Sequence, residues 1–96
     1  MKNLTALELA AFLKESPQWK HFENKLTRSF TFKGFGKAMD FMQAMRAPIN
    51  ALRHHPEWLN VYNRLDVALT THDTGGITEL DLQLARAFDD QFAKSS

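Results

Sequence analysis

Phe35, Ala38, Met39, Met42, Met45, Ile49 and Leu52 recur at intervals of three and four residues, the spacing that lines one face of an α-helix. A stripe this long has to be covered, and a chain of 96 residues has room for a single core to cover it. The segments on either side change period. Arg28, Phe30 and Phe32 alternate with Thr27, Ser29 and Thr31, and further along Leu59 and Val61, then Leu65, Val67 and Leu69, fall on every second position. Alternation of period two is the mark of strands with one covered face. A long helix bracketed by strands on both sides is therefore the frame into which everything else must fit.

The remaining signals fill that frame. Thr5-Ala6-Leu7-Glu8 is a capping box, with Leu4 and Leu9 spaced as a hydrophobic staple. Leu9, Phe12 and Leu13 continue this first helix, and Ser16-Pro17 ends it. From Trp19, alternation of Trp19, His21 and Glu23 with Lys20, Phe22 and Asn24 predicts a short strand, and Asn24-Lys25 a hairpin turn before a strand over 26–33. Gly34-Phe35-Gly36 breaks that strand. Pro48 lies inside the long helix, where a missing amide and a ring clash predict a kink or a break. Pro56 disfavours helix at His55, so residues 54–57 read as a loop. Tyr62-Asn63-Arg64 marks a second turn and Thr74-Gly75-Gly76 a loop; Thr78 caps a last helix whose stripe is Leu84, Ala85, Phe88 and Phe92, with residues 94–96 fraying. The order α-β-β-α-β-β-α predicts an α+β fold, one four-stranded antiparallel sheet with three helices on one face, as a single domain over residues 1–96.

Bulk chemistry narrows the function. The formal net charge is +1, and no basic patch is interleaved with aromatics, so nothing predicts nucleic acid as a partner. No apolar run approaches a bilayer-spanning length, and the start of the chain lacks a signal-peptide core. There is no cysteine, which rules out thiolate catalysis and disulfides and fits a cytoplasmic setting.

The chemistry-bearing residues gather in one region. His54-His55-Pro56-Glu57-Trp58, with His72 after the next apolar run, holds three of the four histidines. Imidazole titrates near neutrality and can give or take a proton at cellular pH. The residues alone leave alternatives open. Histidines in such a loop can be solvated polar residues. A metal site would need ligands that neither His-Glu-x-x-His spacing nor cysteine supplies here. Trp58 can be core as readily as a pocket wall, and Asp81 can simply close a capping box with Thr78. Met39, Met42 and Met45 read as core or subunit interface, and His21 as structural or exposed.

His54-His55-Pro56-Glu57-Trp58, Asn60-Val61-Tyr62-Asn63, Thr70-Thr71-His72, Gly76 and Asp81, with Phe32-Lys33-Gly34-Phe35-Gly36-Lys37-Ala38 at the head of the long helix, resemble the pterin-4a-carbinolamine dehydratases. The similarity spans nearly the whole chain and is strongest from Phe30 to Phe88. It implies a four-stranded sheet with helices on one face, and assembly into homodimers or homotetramers, the latter through the long helices. It also implies a reaction: loss of water from a 4a-hydroxytetrahydropterin left by an aromatic amino acid hydroxylase, giving the quinonoid dihydropterin for recycling. The pterin carbinolamine is the substrate; no metal or organic cofactor is implied. Some members instead bind proteins as dimerisation, assembly or regulatory factors, which is the competing function.

The resemblance implies His54 and His72 as the acid–base pair and His55 as a positioning or second proton-transfer group. It implies substrate contacts from Arg53, His54 and His55 and from Thr70, Thr71, His72 and Asp73, with Trp58 as a wall. Asp81, three and four residues before Leu84 and Ala85, leans inward to orient a histidine. Three departures stand out, one of them Pro48, a turn upstream, which is expected to shift the helix end that presents His54. Asn50 occupies a position usually held by an ionisable residue, so it can hydrogen-bond but not titrate; a carboxylate there is expected to retune His54. Arg53 stands where Asn or Asp is common.

Overall fold

Two hairpins, each closed by a two-residue turn, make the sheet. In the computed structural model, which describes residues 1–95, β1 (Lys20–Phe22) pairs with β2 (Lys25–Thr31), and β3 (Glu57–Val61) with β4 (Arg64–Leu69). The hairpins join through β2 and β4, so all pairs are antiparallel and the order is β1-β2-β4-β3. The helices are α1 (Ala6–Glu15), α2 (Phe35–Leu52) and α3 (Glu79–Ser95), giving the predicted α-β-β-α-β-β-α order.

The first turn lies one residue earlier than Asn24-Lys25 indicates, and the second falls on the first two residues of Tyr62-Asn63-Arg64. Phe22 faces Lys25 and Val61 faces Arg64, so the turn residues are Glu23-Asn24 and Tyr62-Asn63. Glu23 (φ 54°) and Tyr62 (φ 53°) occupy the left-handed region without being glycine, which is why no Gly signal marks them. The second strand stops at Thr31 instead of Lys33, although the Phe32 amide still donates to the Asn63 carbonyl at the far turn, in line with the same register.

One sheet face is covered. Leu26, Phe30, Leu65, Val67 and Leu69 are buried, and register places Leu26 opposite Leu69 and Phe30 opposite Leu65. Against them pack Trp19, Phe41, Met45, Ile49, Leu84 and Phe88. The Phe30 ring lies 5.3 Å from Phe41 and 5.9 Å from Phe88 between ring centroids, so strand and helices share one aromatic cluster. The buried line of α2 is Ala38, Phe41, Met45 and Ile49; Phe35 and Met39 lie at its margin and are exposed. Arg28 sits on the covered face between Leu26 and Phe30. Its guanidinium reaches Asp89 of α3 at 2.5 Å and stacks 4.3 Å over the Phe30 ring, and Asp89 also accepts from the Trp19 indole at 2.9 Å. A charge can occupy a core-facing strand position because that partner is supplied.

Pro48 does not break α2, which runs from Phe35 to Leu52 with the proline inside. An interior proline costs about 3 kcal/mol. Burial of Met45 and Ile49 on either side contributes roughly 1.5–3 kcal/mol each and offsets it. α1 begins with the capping box read from sequence: Thr5 Oγ1 accepts from the Glu8 amide at 3.1 Å, and Glu8 Oε1 accepts from the Thr5 amide at 2.8 Å.

Candidate active site

The C-terminus of α2 aims the paired histidines. Arg53 is left-handed (φ 52°, ψ 39°); its amide donates to the Asn50 carbonyl at 3.2 Å, and the His54 amide to the Ile49 carbonyl at 3.3 Å. This is a Schellman closure with arginine where glycine is usual. It turns the chain sharply enough that His54 is buried while His55, the next residue, is exposed.

His54 meets α3. Its Nε2 lies 2.5 Å from Asp81 Oδ1, and Asp81 is fully buried. Asp81 Oδ2 accepts from the Thr78 amide and from the Thr71 hydroxyl, both at 2.8 Å. The Thr71 and Thr78 hydroxyls are themselves 2.8 Å apart. Both roles read for Asp81 are thus present together: it caps the Thr78 end of α3 and it holds a histidine. A carboxylate is tolerated in this dry position because it takes three hydrogen bonds and lies in the first turn of a helix.

The other imidazoles occupy different surroundings. His55 lines a cavity of about 280 Å³ with Asn50, Arg46, Met42, Pro56 and Trp58. His72 is largely exposed, with Nε2 3.4 Å from Glu57 Oε2; Glu57 Oε1 pairs with Lys25 at 2.6 Å. Trp58 is 38% exposed, sets its ring at an edge to Phe88 with centroids 6.2 Å apart, and lines both the His55 cavity and one of about 470 Å³ flanked by Glu57, Thr27, Ser29 and Asp66.

His72 follows the last apolar run but does not lie on a strand. Instead β4 stops at Leu69, Thr71 forms an isolated bridge to Gly76, and His72 begins a short 3₁₀ turn, His72–Thr74, that also carries the exposed Asp73. The turn forms because the Thr71 carbonyl accepts from the amides of Thr74, Gly75 and Gly76. Thr70 donates its hydroxyl to the Asn24 carbonyl at 2.7 Å, so the hydroxyls of Thr70 and Thr71 both serve internal bonds. A side chain at Gly76 would meet Asn3 at 3.0 Å, which keeps that position small.

The structure therefore joins His54, Asp81 and Thr71 in one bonded cluster, groups Asn50 with His55 and Trp58, and links His72 to Glu57. Sequence reading missed Glu57 as the partner of His72 and Thr78 as the hydroxyl behind Thr71. The Thr-x-x-Asp spacing marked Thr78, but only as a cap. Among the described residues no group of three or more His, Asp or Glu is placed to hold a metal ion, and no helix is long and apolar enough to cross a membrane.

Comparison with known proteins finds relatives over nearly the whole chain. A relative from Picosynechococcus with the provisional name pterin-4-alpha-carbinolamine dehydratase is 44% identical over 86 residues, 90% of this chain and 94% of its own. One from Solibacter usitatus, with the same provisional name, is 45% identical over 86 residues, 90% of each chain. A crystal structure described as a transcriptional coactivator/pterin dehydratase from Brucella melitensis superposes with a TM-score of 0.89 at 41% identity, covering 93% of this chain and 97% of that one. The family model described as Pterin 4 alpha carbinolamine dehydratase matches residues 2–91, and the chain belongs to that family.

Proposed function

We propose that this protein catalyses dehydration of a 4a-hydroxytetrahydropterin to the quinonoid dihydropterin and water, with imidazoles as general acid and base. In this step the C4a–O bond breaks, the departing hydroxyl takes a proton from the acid and leaves as water, and the N5 proton passes to the base. His54 and His72 carry these transfers and His55 assists, with Arg53, Trp58 and Asp73 flanking the ring. A proton transfer by a well-placed group contributes ~10²–10⁴ in rate. The observation that carries the reading is the buried His54–Asp81 pair, in which a carboxylate fixes one ring nitrogen and leaves the other for chemistry. The family match supports the pterin as substrate. A chain without cysteine fits a cytoplasmic setting, and the family resemblance implies an aromatic amino acid hydroxylase as the source of the carbinolamine. Exposed Leu59 and Val61 on the edge strand, and Phe35 and Met39 on α2, support a homo-oligomer.

The test is ultraviolet monitoring of carbinolamine breakdown with and without the protein. Acceleration is expected. No acceleration, from a folded and stable oligomer, would favour the second reading, a protein-binding factor. That second reading rests on the exposed apolar side chains Phe22, Leu59 and Val61 and on the coactivator description of the Brucella protein.

A further inference from the structure

We propose that Thr78, through Thr71, is a positioning residue that fixes which nitrogen of His54 is available to the reaction. The proton count fixes the direction of each bond. A threonine hydroxyl has one proton, and a carboxylate only accepts. The Thr71 hydroxyl donates to Asp81 Oδ2, so its contact of 2.8 Å with Thr78 Oγ1 must be donated by Thr78. The chain of donors runs from Thr78 to Thr71 to Asp81, while the Thr78 amide donates to the same Oδ2 at 2.8 Å. Thr78 thus clamps the carboxylate twice, once directly and once through its neighbour. Oδ1 is left for His54, and Nε2 at 2.5 Å must be the donor there. The neutral ring is then the Nε2–H tautomer, with its lone pair on Nδ1.

Every member of this chain is buried, and among the described residues no buried side-chain nitrogen or oxygen lacks a partner. Replacing either threonine by valine keeps the shape and removes one link. Without the Thr71 hydroxyl, Oδ2 keeps a single donor and the Thr78 hydroxyl loses its acceptor, so the carboxylate is free to roll and His54 is no longer held to one tautomer. Neither threonine hydroxyl needs to touch substrate for this effect.

The inference rests on the dehydratase reading only for its consequence in rate. The tautomer is measured on the ligand-free full chain, by the nitrogen chemical shifts and ring-proton couplings of His54 at neutral pH. A protonated Nε2 and an unprotonated Nδ1 are expected in the native chain. A mixture is expected in Thr71→Val and Thr78→Val, with the native pattern retained in Thr71→Ser and Thr78→Ser. In the carbinolamine assay the valine variants should lose roughly tenfold or more in kcat/KM and shift the pH profile, with serine restoring both. A native ring protonated at Nδ1 overturns the inference without any variant being made. Folded valine variants with native tautomer and unchanged pH profile overturn it too. A native chain that shows the expected tautomer but no dehydration would sink the proposed reaction and leave the hydrogen-bond chain standing.

Discussion

At the scale of single residues, conformational strain and hydrogen-bond supply decide where each histidine stands. Arg53 holds a left-handed backbone that costs an L-residue roughly 1–2 kcal/mol, and it does so at the turn that separates buried His54 from exposed His55. Arg53→Gly should therefore stabilise the protein by roughly 0.5–1 kcal/mol in urea unfolding, after glycine's own entropy cost. If the guanidinium contacts the pterin, the same variant should raise KM; a loss of stability would show that the arginine side chain carries packing that outweighs the strain. Asn50 shares the cavity of His55, while His54 turns to Asp81, so a carboxylate introduced by Asn50→Glu should act chiefly on His55. An unchanged pH–rate profile in that variant would show that position 50 does not govern the titration.

At the scale of elements, what could be read in the sequence was what local rules govern. Thr5 and Glu8 name the start of α1, and the apolar spacing names α2 to its last residue, Leu52. Glu8 is held below its ordinary 4.5 by its hydrogen bond to the Thr5 backbone and then by that to the Thr5 side chain. Its folded-state pKa is depressed, so the cap's contribution is present above the usual glutamate range and lost as pH falls through the lowered value. A side-chain titration of Glu8 should have its midpoint below 4.5, and a midpoint at or above it would show the capping box open in solution. Pro48 was legible as a disruption but its outcome was not, because burial of its neighbours through distant contacts kept the helix intact. Pro48→Ala should restore the missing amide donor and stabilise the fold by roughly 1–3 kcal/mol in thermal unfolding. No gain would mean the surrounding packing had already adjusted to the ring. The 3₁₀ turn at His72 was illegible because it depends on the Thr71–Gly76 bridge, a closure that side-chain parity does not encode.

Across the whole molecule, the site exists only where separate parts of the chain meet. His54 ends one helix and Asp81 begins another, and the aromatic cluster around Phe30 and Phe88 holds those helices on one sheet face. Arg28 shares the core-facing alternation of Phe30, and its partner Asp89, 61 residues away, could not be read from the strand itself. Asp89→Ala, which strips both Arg28 and the Trp19 indole, should cost roughly 1–3 kcal/mol in denaturant unfolding. The histidine motif was legible for the opposite reason: its residue types can be read without the fold, although the fold then gives His54, His55 and His72 three different surroundings. The central claim is that these imidazoles move the protons of a dehydration. The most direct measurement is the rate of carbinolamine breakdown for the native chain beside His54→Ala and His72→Ala, each first shown to be folded by circular dichroism. The account predicts acceleration by the native protein and a loss of ~10²–10⁴ in each variant; equal rates in all three would contradict it.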